Sequence, residues 1–338
     1  MESVRRPDVG RHQHHAPRRP VRLAQSAPGA ALERGRRTHL NPREINMDLR
    51  VIPFTSSFGA EIEGLDLTRP LDADSFEAVE QALAQYSLLS FRRQRVNDEQ
   101  QLAFSSRFGR VHQSVMDTKR RRLADARFGD VSNLAKEGGL LAQGSERRKF
   151  SDANQLWHTD LSFMAMPARV TVLSARQLPP APPATEYADM RAAWDALPPQ
   201  RQRELEGLRV EHSIFASRAR AGFTEFSAEE REKAPPVVQP LVRVHARSGR
   251  KSLYLSSHAG RVVGMPEDES QDLLAELTRH ATQPQFVFSY TWLPHDLICW
   301  DDSCTMHRAT PFESDKYVRE LRWNAVCEPA PLLEALAM

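Results

Sequence analysis

Many short apolar runs, few helical stretches and no strand–helix–strand alternation predict a mainly β protein, a sandwich or barrel with flanking helices packed outside. The 338 residues suffice to bury a sizeable core. Hydrophobic residues make up 40% and charged residues 27%, with 46 basic against 44 acidic groups. That balance excludes a predominantly disordered chain and gives no case for a nucleic-acid or membrane partner. No apolar run approaches the roughly 18 residues a spanning helix needs. Cys299, Cys304 and Cys327 form no CxxC pair and are too few for a disulfide framework, so a reducing, cytoplasmic setting is expected.

Residues 1–46 carry ten arginines against Glu2, Asp8, Glu33 and Glu44, and are rich in Pro and His. This basic leader has no sustained amphipathic period. It reads as a disordered tail, an extension upstream of a start at Met47, although its arginine bias is also that of a transit peptide and His12, His14 and His15 are a weak metal pattern. A single domain is expected over 47–338. Leu49 to Leu67 alternates and is broken by Ser56, Ser57 and Gly59, predicting two short strands around a turn. Helices follow over Asp74–Tyr86, with Phe76, Val79 and Leu83 on one face, and over Asp98–Phe108, with a strand at Ser87–Phe91 between them. Residues 112–150 are polar and basic, with Lys119, Arg120, Arg121 and Arg122 consecutive, and read as a long loop or lid. Short apolar runs then recur at 155–163, 169–176, 208–212, 241–245, 252–257, 286–292, 296–300 and 317–327, with helices near 189–197, 200–206 and 268–280. There is no GxGxxG, P-loop or GxSxG pattern and no internal repeat.

Of the twelve histidines, His158 has a carboxylate two positions on, in Trp157-His158-Thr159-Asp160. If Gln155–Phe163 is a strand, residues i and i+2 project to one face, so His158 and Asp160 point together. One imidazole and one carboxylate, completed by a distant second imidazole, make the facial triad that holds ferrous iron and leaves positions open. His307 is the best second imidazole, following the strand Asp296–Trp300 and a turn rich in Asp301, Asp302 and Ser303. His212 and His245 lie in strands and read as packing or pairing residues. His258 and His280 read as surface or helix-end positions, and His295 as a turn. Spacing alone leaves ordinary structural histidines as the alternative.

Longer motifs carry a resemblance. Asn154-Gln-Leu-Trp157-His158-Thr-Asp160-Leu-Ser-Phe163, Ser174 through Pro180, Thr185-Glu-Tyr-Ala-Asp189 and Cys299-Trp300-Asp301-Asp302 resemble the taurine/2,4-dichlorophenoxyacetate dioxygenase family. So do Met306-His307-Arg308 and Arg319-Glu-Leu-Arg322, in the same order and spacing. Glu204-Leu-Glu-Gly-Leu208 and Leu241-Val-Arg-Val-His245 are closest to the 2,4-dichlorophenoxyacetate branch. The resemblance runs from about Met47 to Pro329. It implies a double-stranded β-helix (jelly-roll) core, with His158, Asp160 and His307 as ligands of Fe(II). It also implies Thr185 and Arg319 as the residues that hold the co-substrate 2-oxoglutarate, and hydroxylation of a small organic substrate with O2, yielding succinate and CO2. Where the attacked carbon bears an ether oxygen, hydroxylation cleaves the ether. Arg319 has support of its own: a planar guanidinium on the run 317–327 can grip a carboxylate through two parallel hydrogen bonds.

Departures from the family pattern bear on the substrate. Pro182-Pro183-Ala184 replaces the Gly-Gly-Asp that precedes the threonine, and Trp323 stands where a second arginine holds an anionic substrate. A substrate anion would then draw on the lid, Lys119 and Arg120 foremost, or Trp323 supplies an aromatic wall for a less anionic molecule. An aryloxyalkanoate or similar carboxylate is the expected substrate, with a sulfonate such as taurine as the alternative. A cupin-like metal hydrolase and a non-catalytic β-barrel binding module also stay open, as does homo-oligomerisation.

Overall fold

The computed structural model describes residues 49–114, 121–222, 226 and 228–329. The basic leader and the lid residues Lys119 and Arg120 lie outside the described residues. β1 (Arg50–Pro53) and β2 (Ala60–Glu63) are the two short antiparallel strands expected at the start. Gly59 makes the turn into β2: its φ is +72°, and a Cβ there would fall 2.8 Å from the Phe54 ring. α1 (Ala73–Tyr86) is capped by the Asp72 carboxylate, which accepts the Ser75 N–H, and buries the face of Phe76, Val79 and Leu83. β3 (Leu88–Phe91) follows, and α2 (Asp98–Ser106) starts on a reciprocal Asn97–Gln100 capping box.

Two expectations fail in the next hundred residues. The stretch 112–150 is not one long loop, because it contains β4 (Gly129–Ser132) and α3 (Glu146–Asp152). β4 reads Gly-Asp-Val-Ser and has little apolar alternation; its strand conformation comes from backbone pairing with residues 320–323. Nor is Gln155–Phe163 a strand. A single 3-10 turn ends at Gln155, His158 makes one isolated bridge to His307, and the chain turns from Asp160 with Leu161 at a φ of +52°. A left-handed residue ends any extended run.

β5 (Ala168–Gln177) and β6 (Thr185–Asp189) come next, so Thr185, which alone reads as a loop residue, opens a strand. α4 (Met190–Asp195) and α5 (Pro199–Leu205) match the expected helices. An outer excursion comprises β7 (Arg209–His212), α6 (Ile214–Arg220), α7 (Ala228–Lys233), β8 (Val237–Pro240), β9 (Val242–Val244), β10 (Lys251–Leu253) and β11 (Ala259–Val262). It closes on α8 (Glu267–Ala281), and the chain ends with β12 (Val287–Tyr290), β13 (Leu297–Asp301), β14 (Thr305–Ala309) and β15 (Glu320–Cys327).

A seven-stranded sheet runs in the order β1-β2-β3-β13-β5-β15-β4, and a smaller one in the order β12-β6-β14. Strand alternation divides the large sheet's side chains between two layers. Leu89, Val170, Val172 and Cys299 face α1 and α2, packing with Phe76, Val79 and Phe104. Leu88, Leu173, Ile298, Trp300 and Leu321 face inward, onto Tyr187 and Tyr290 of the small sheet. The other side of the small sheet, through Ala188 and Met306, packs on α4 and α8. The result is a mixed sheet-and-helix fold whose polar site opens off the apolar layer between two sheets. No helix among the described residues is long and apolar enough to cross a membrane.

Candidate metal centre

His307 lies at the middle of β14, opposite Tyr187 of β6. On its other side His158 is joined to it through two backbone hydrogen bonds, of 3.0 Å from the His158 N–H and 2.8 Å from the His307 N–H. This bridge brings residues remote along the chain side by side, with ring centroids 4.2 Å apart. The turn that begins at Asp160 then folds its carboxylate back: Oδ1 lies 3.7 Å from His158 Nε2 and 3.9 Å from His307 Nε2. These three donor atoms all lie within 4.8 Å of one another, in the one group of three or more His, Cys, Asp or Glu side chains among the described residues that could hold a metal ion. His158 and Asp160 do project together, by a bridge followed by a turn and not by strand alternation.

The donor chemistry suits a divalent metal. His158 Nδ1 sits 2.7 Å from the Leu156 carbonyl, so it must carry the hydrogen and leave Nε2 as a bare lone pair. Burial lowers the pKa of His158, and burial with the neighbouring His158 brings that of His307 to about 3. Both imidazoles are therefore neutral at pH 7, as ligation requires. Two neutral imidazoles and one carboxylate on one side of a site are the donor set of the non-haem iron facial triad.

Asp160 is held by its second oxygen. Oδ2 accepts from the Trp323 indole N–H at 2.8 Å and from Thr171 Oγ1 at 3.0 Å. Thr171 Oγ1 also lies 2.7 Å from Oδ2 of Asp302, whose Oδ1 is 3.2 Å from the Asp160 backbone N and 3.1 Å from Trp300 Nε1. A hydroxyl has one hydrogen, so one of its two carboxylate contacts needs a proton from the acid. Burial, and then the Asp160 charge, push the Asp302 pKa well above the usual carboxylate range. A protonated Asp302 would donate to Thr171 Oγ1 and leave the hydroxyl hydrogen for Asp160.

The other expected site residues separate. Arg319 is buried, and its guanidinium makes no hydrogen bond or ion pair with any described residue. Burial lowers its pKa to about 10. Thr185 is buried as well, its Oγ1 accepting the Trp292 N–H at 2.9 Å. Trp323 is not simply an aromatic wall in place of an arginine, because its polar edge is committed to Asp160. Gly129, in register with Trp323 on β4, makes room for it: a Cβ there would fall 2.5 Å from the indole ring. Of the lid cations, Arg122 binds both oxygens of Asp130 and also Glu320, so its charge is already matched.

His258 corrects a further expectation. It is not a surface residue: it is buried, 4.6 Å from the Phe163 ring and 6.4 Å from the His158 ring, centroid to centroid. Arg218 of α6, also buried, contributes to lowering the pKa of both His158 and His258 and so places positive charge on this side. The remaining histidines keep their ordinary roles. His212 bonds Ser162, His245 pairs with Asp301 at 2.9 Å, His280 bonds the Ala193 carbonyl, and His295 adopts a φ of +67° in a turn. Trp323, Thr171 and Asp302 support the site from elements whose registers the sequence does not display; the sequence points to Trp323 as a substrate contact and to Asp302 through the Trp300-Asp301-Asp302 motif, and gives no sign of Thr171.

Known proteins are similar to this chain. The family described as "Taurine catabolism dioxygenase TauD, TfdA family" matches residues 50–323. The chain is 41% identical to the alpha-ketoglutarate-dependent 2,4-dichlorophenoxyacetate dioxygenase of Cupriavidus pinatubonensis, covering 80% of this chain and 94% of that one. It is 31% identical to the (S)-phenoxypropionate/alpha-ketoglutarate-dioxygenase of Sphingobium herbicidovorans, over 81% and 93% of the two chains. The crystal structure of AAD-2 in complex with Mn(II) and N-oxalylglycine superposes with a TM-score of 0.77 at 41% identity, covering 84% of this chain and 98% of that one. The chain therefore belongs to the TauD, TfdA dioxygenase family.

Proposed function

We propose that this protein is a 2-oxoglutarate-dependent, Fe(II)-dependent dioxygenase that hydroxylates a small aryloxyalkanoate, built on a double-stranded β-helix core. The observation that carries the reading is the convergence of His158, Asp160 and His307 on one donor set; the buried Arg319, just before β15, adds a guanidinium with no hydrogen bond or ion pair to any described residue. The two facing sheets and their shared apolar layer support the core assignment. The relative AAD-2 was crystallised with Mn(II) and N-oxalylglycine, which has the 2-oxoglutarate skeleton with an NH in place of one methylene, and this supports the metal and the co-substrate. Named activities on 2,4-dichlorophenoxyacetate and phenoxypropionate among relatives support the substrate class.

The side chains divide the work. His158 and His307 offer neutral lone pairs and Asp160 one carboxylate oxygen, leaving the remaining coordination positions for co-substrate and oxygen. Iron held there, with 2-oxoglutarate and O2, would supply the oxidant that places a hydroxyl group on carbon while releasing succinate and CO2. Trp323 and Thr171 fix the Asp160 carboxylate so that Oδ1 alone faces the metal. Arg319 would take the distal carboxylate of 2-oxoglutarate, and Thr185 would donate its free hydroxyl hydrogen beside it. His258, Phe163 and Arg218 border the far side of His158, where an aromatic, anionic substrate would lie. Hydroxylation next to the ether oxygen of an aryloxyacetate gives a hemiacetal, which collapses to a phenol and glyoxylate. The three buried free cysteines are compatible with a cytoplasmic setting.

A panel of aryloxyalkanoates, sulfonates and N-acyl amino acids, scored by succinate formation, tests the reading. Turnover of aryloxyalkanoates with release of a phenol is expected. Turnover confined to sulfonates would move the substrate assignment, and succinate formation with none of the panel would remove it.

A further inference from the structure

β6 turns Thr185 and Tyr187 to the same face, two residues apart. Tyr187 is fully buried, its ring stacked on His307 at 5.9 Å and edge-on to Trp300 at 5.4 Å. Its hydroxyl has no hydrogen-bond partner among the described residues. The neighbouring Tyr290 hydroxyl is fully engaged, with Ser90 and Asp296. A buried phenol without a partner, beside a second orphan donor at Arg319 Nε, calls for a physical reason.

The surroundings supply one. Arg319 directly precedes β15, whose Leu321 packs in one apolar cluster with Tyr187 and with Trp292, the donor to Thr185. Thr185 Oγ1 accepts from Trp292 and has its own hydrogen left to give, while Arg319 Nε has no acceptor among the described residues. Arg319, Thr185 and Tyr187 thus each keep a donor hydrogen with no acceptor among the described residues. A carboxylate presents about four lone-pair directions. Arg319 would fill two of them through parallel N–H bonds and the hydroxyls one each.

We propose that Tyr187 donates a hydrogen bond to the distal carboxylate of 2-oxoglutarate, alongside Arg319 and Thr185. The proposal rests on the reading of this site as a 2-oxoglutarate site. It makes Tyr187 a co-substrate-binding residue that also stacks against a metal ligand, so that occupancy of the co-substrate pocket and the packing of His307 share one side chain.

Tyr187→Phe removes one oxygen and keeps the ring. The full-length protein is loaded with Fe(II) without oxygen and titrated with 2-oxoglutarate by calorimetry. It is then titrated with 2-oxopentanoate, which keeps the 2-oxo acid and lacks the distal carboxylate. The variant is expected to bind 2-oxoglutarate about 10- to 100-fold more weakly, as for a lost hydrogen bond to a charged acceptor. Its affinities for Fe(II) and 2-oxopentanoate should match the parent's. Binding of 2-oxoglutarate within twofold of the parent, or an equal loss for both acids, overturns the role of Tyr187. A parent protein that does not prefer 2-oxoglutarate over 2-oxopentanoate overturns the site reading itself, and the proposal with it.

Discussion

The indole N–H of Trp323 donates to Asp160 Oδ2 across 2.8 Å, turning Oδ1 of the same carboxylate toward His158 and His307. Trp323, which the family resemblance marks as the place of a second arginine, instead orients the carboxylate of the candidate metal ligand Asp160. Groups that orient a ligating carboxylate typically matter 10- to 100-fold for metal affinity.

Trp323→Phe should therefore weaken divalent-metal binding by about 10- to 100-fold while leaving the fold intact. Gly129→Ala should act in the same direction, because the new methyl group would displace the indole. Calorimetric titration with Mn(II) measures both. Unchanged affinity in Trp323→Phe would show that the hydrogen bond does not tune the ligand.

Arg319→Ala should raise the KM for 2-oxoglutarate at least about 30-fold, the scale of losing a buried, hydrogen-bonded charge partner. Metal affinity should change little. Steady-state kinetics with varied 2-oxoglutarate give the answer. A metal hydrolase or a binding module would be indifferent to the substitution, so an unaltered KM favours those classes.

Much of this was legible in the chain. The apolar faces of α1 and α8, the strand runs around 169–176 and 296–300 and the triad residues stand out in order along the sequence. What escaped is what register decides. Tyr187 faces His307 because β6 and β14 pair as they do, and Trp323 reaches Asp160 because β15 aligns with β5. β4 is too polar to announce itself, and His258 looks like a surface residue until the fold brings Phe163 and His158 against its ring. His158 and Asp160 were paired on a strand argument, yet a bridge and a left-handed Leu161 bring them together.

The buried His212 imidazole, at a pKa of about 3 through burial and then the charges of Arg243 and Arg220, gives a pH signature, as does His307. Between about pH 6.5 and 3 the unfolded chain takes up protons at these histidines and the folded chain does not. Each then removes up to about 1.4 kcal/mol of stability per pH unit as pH falls through that window, and nothing above it. Urea unfolding of metal-free protein at pH 7.5 and 5.5 should show a smaller acid loss for His212→Gln than for the parent. Identical losses would mean that His212 is not held neutral.

Asp130 of β4 ties Arg122, upstream of it, and Arg147 of α3 to the sheet. Asp130→Asn should loosen residues 121–150, read as faster backbone hydrogen exchange there, with 2-oxoglutarate affinity retained. Exchange rates equal to the parent's would show that pairing of β4 with β15 holds the segment without the ion pairs.

The most direct measurement is the visible spectrum of the protein with Fe(II) and 2-oxoglutarate in the absence of oxygen. A weak charge-transfer band is expected, which Asp160→Ala and His307→Ala abolish. No band in the parent, or an undiminished band in either variant, would contradict a single ferrous ion held by His158, Asp160 and His307.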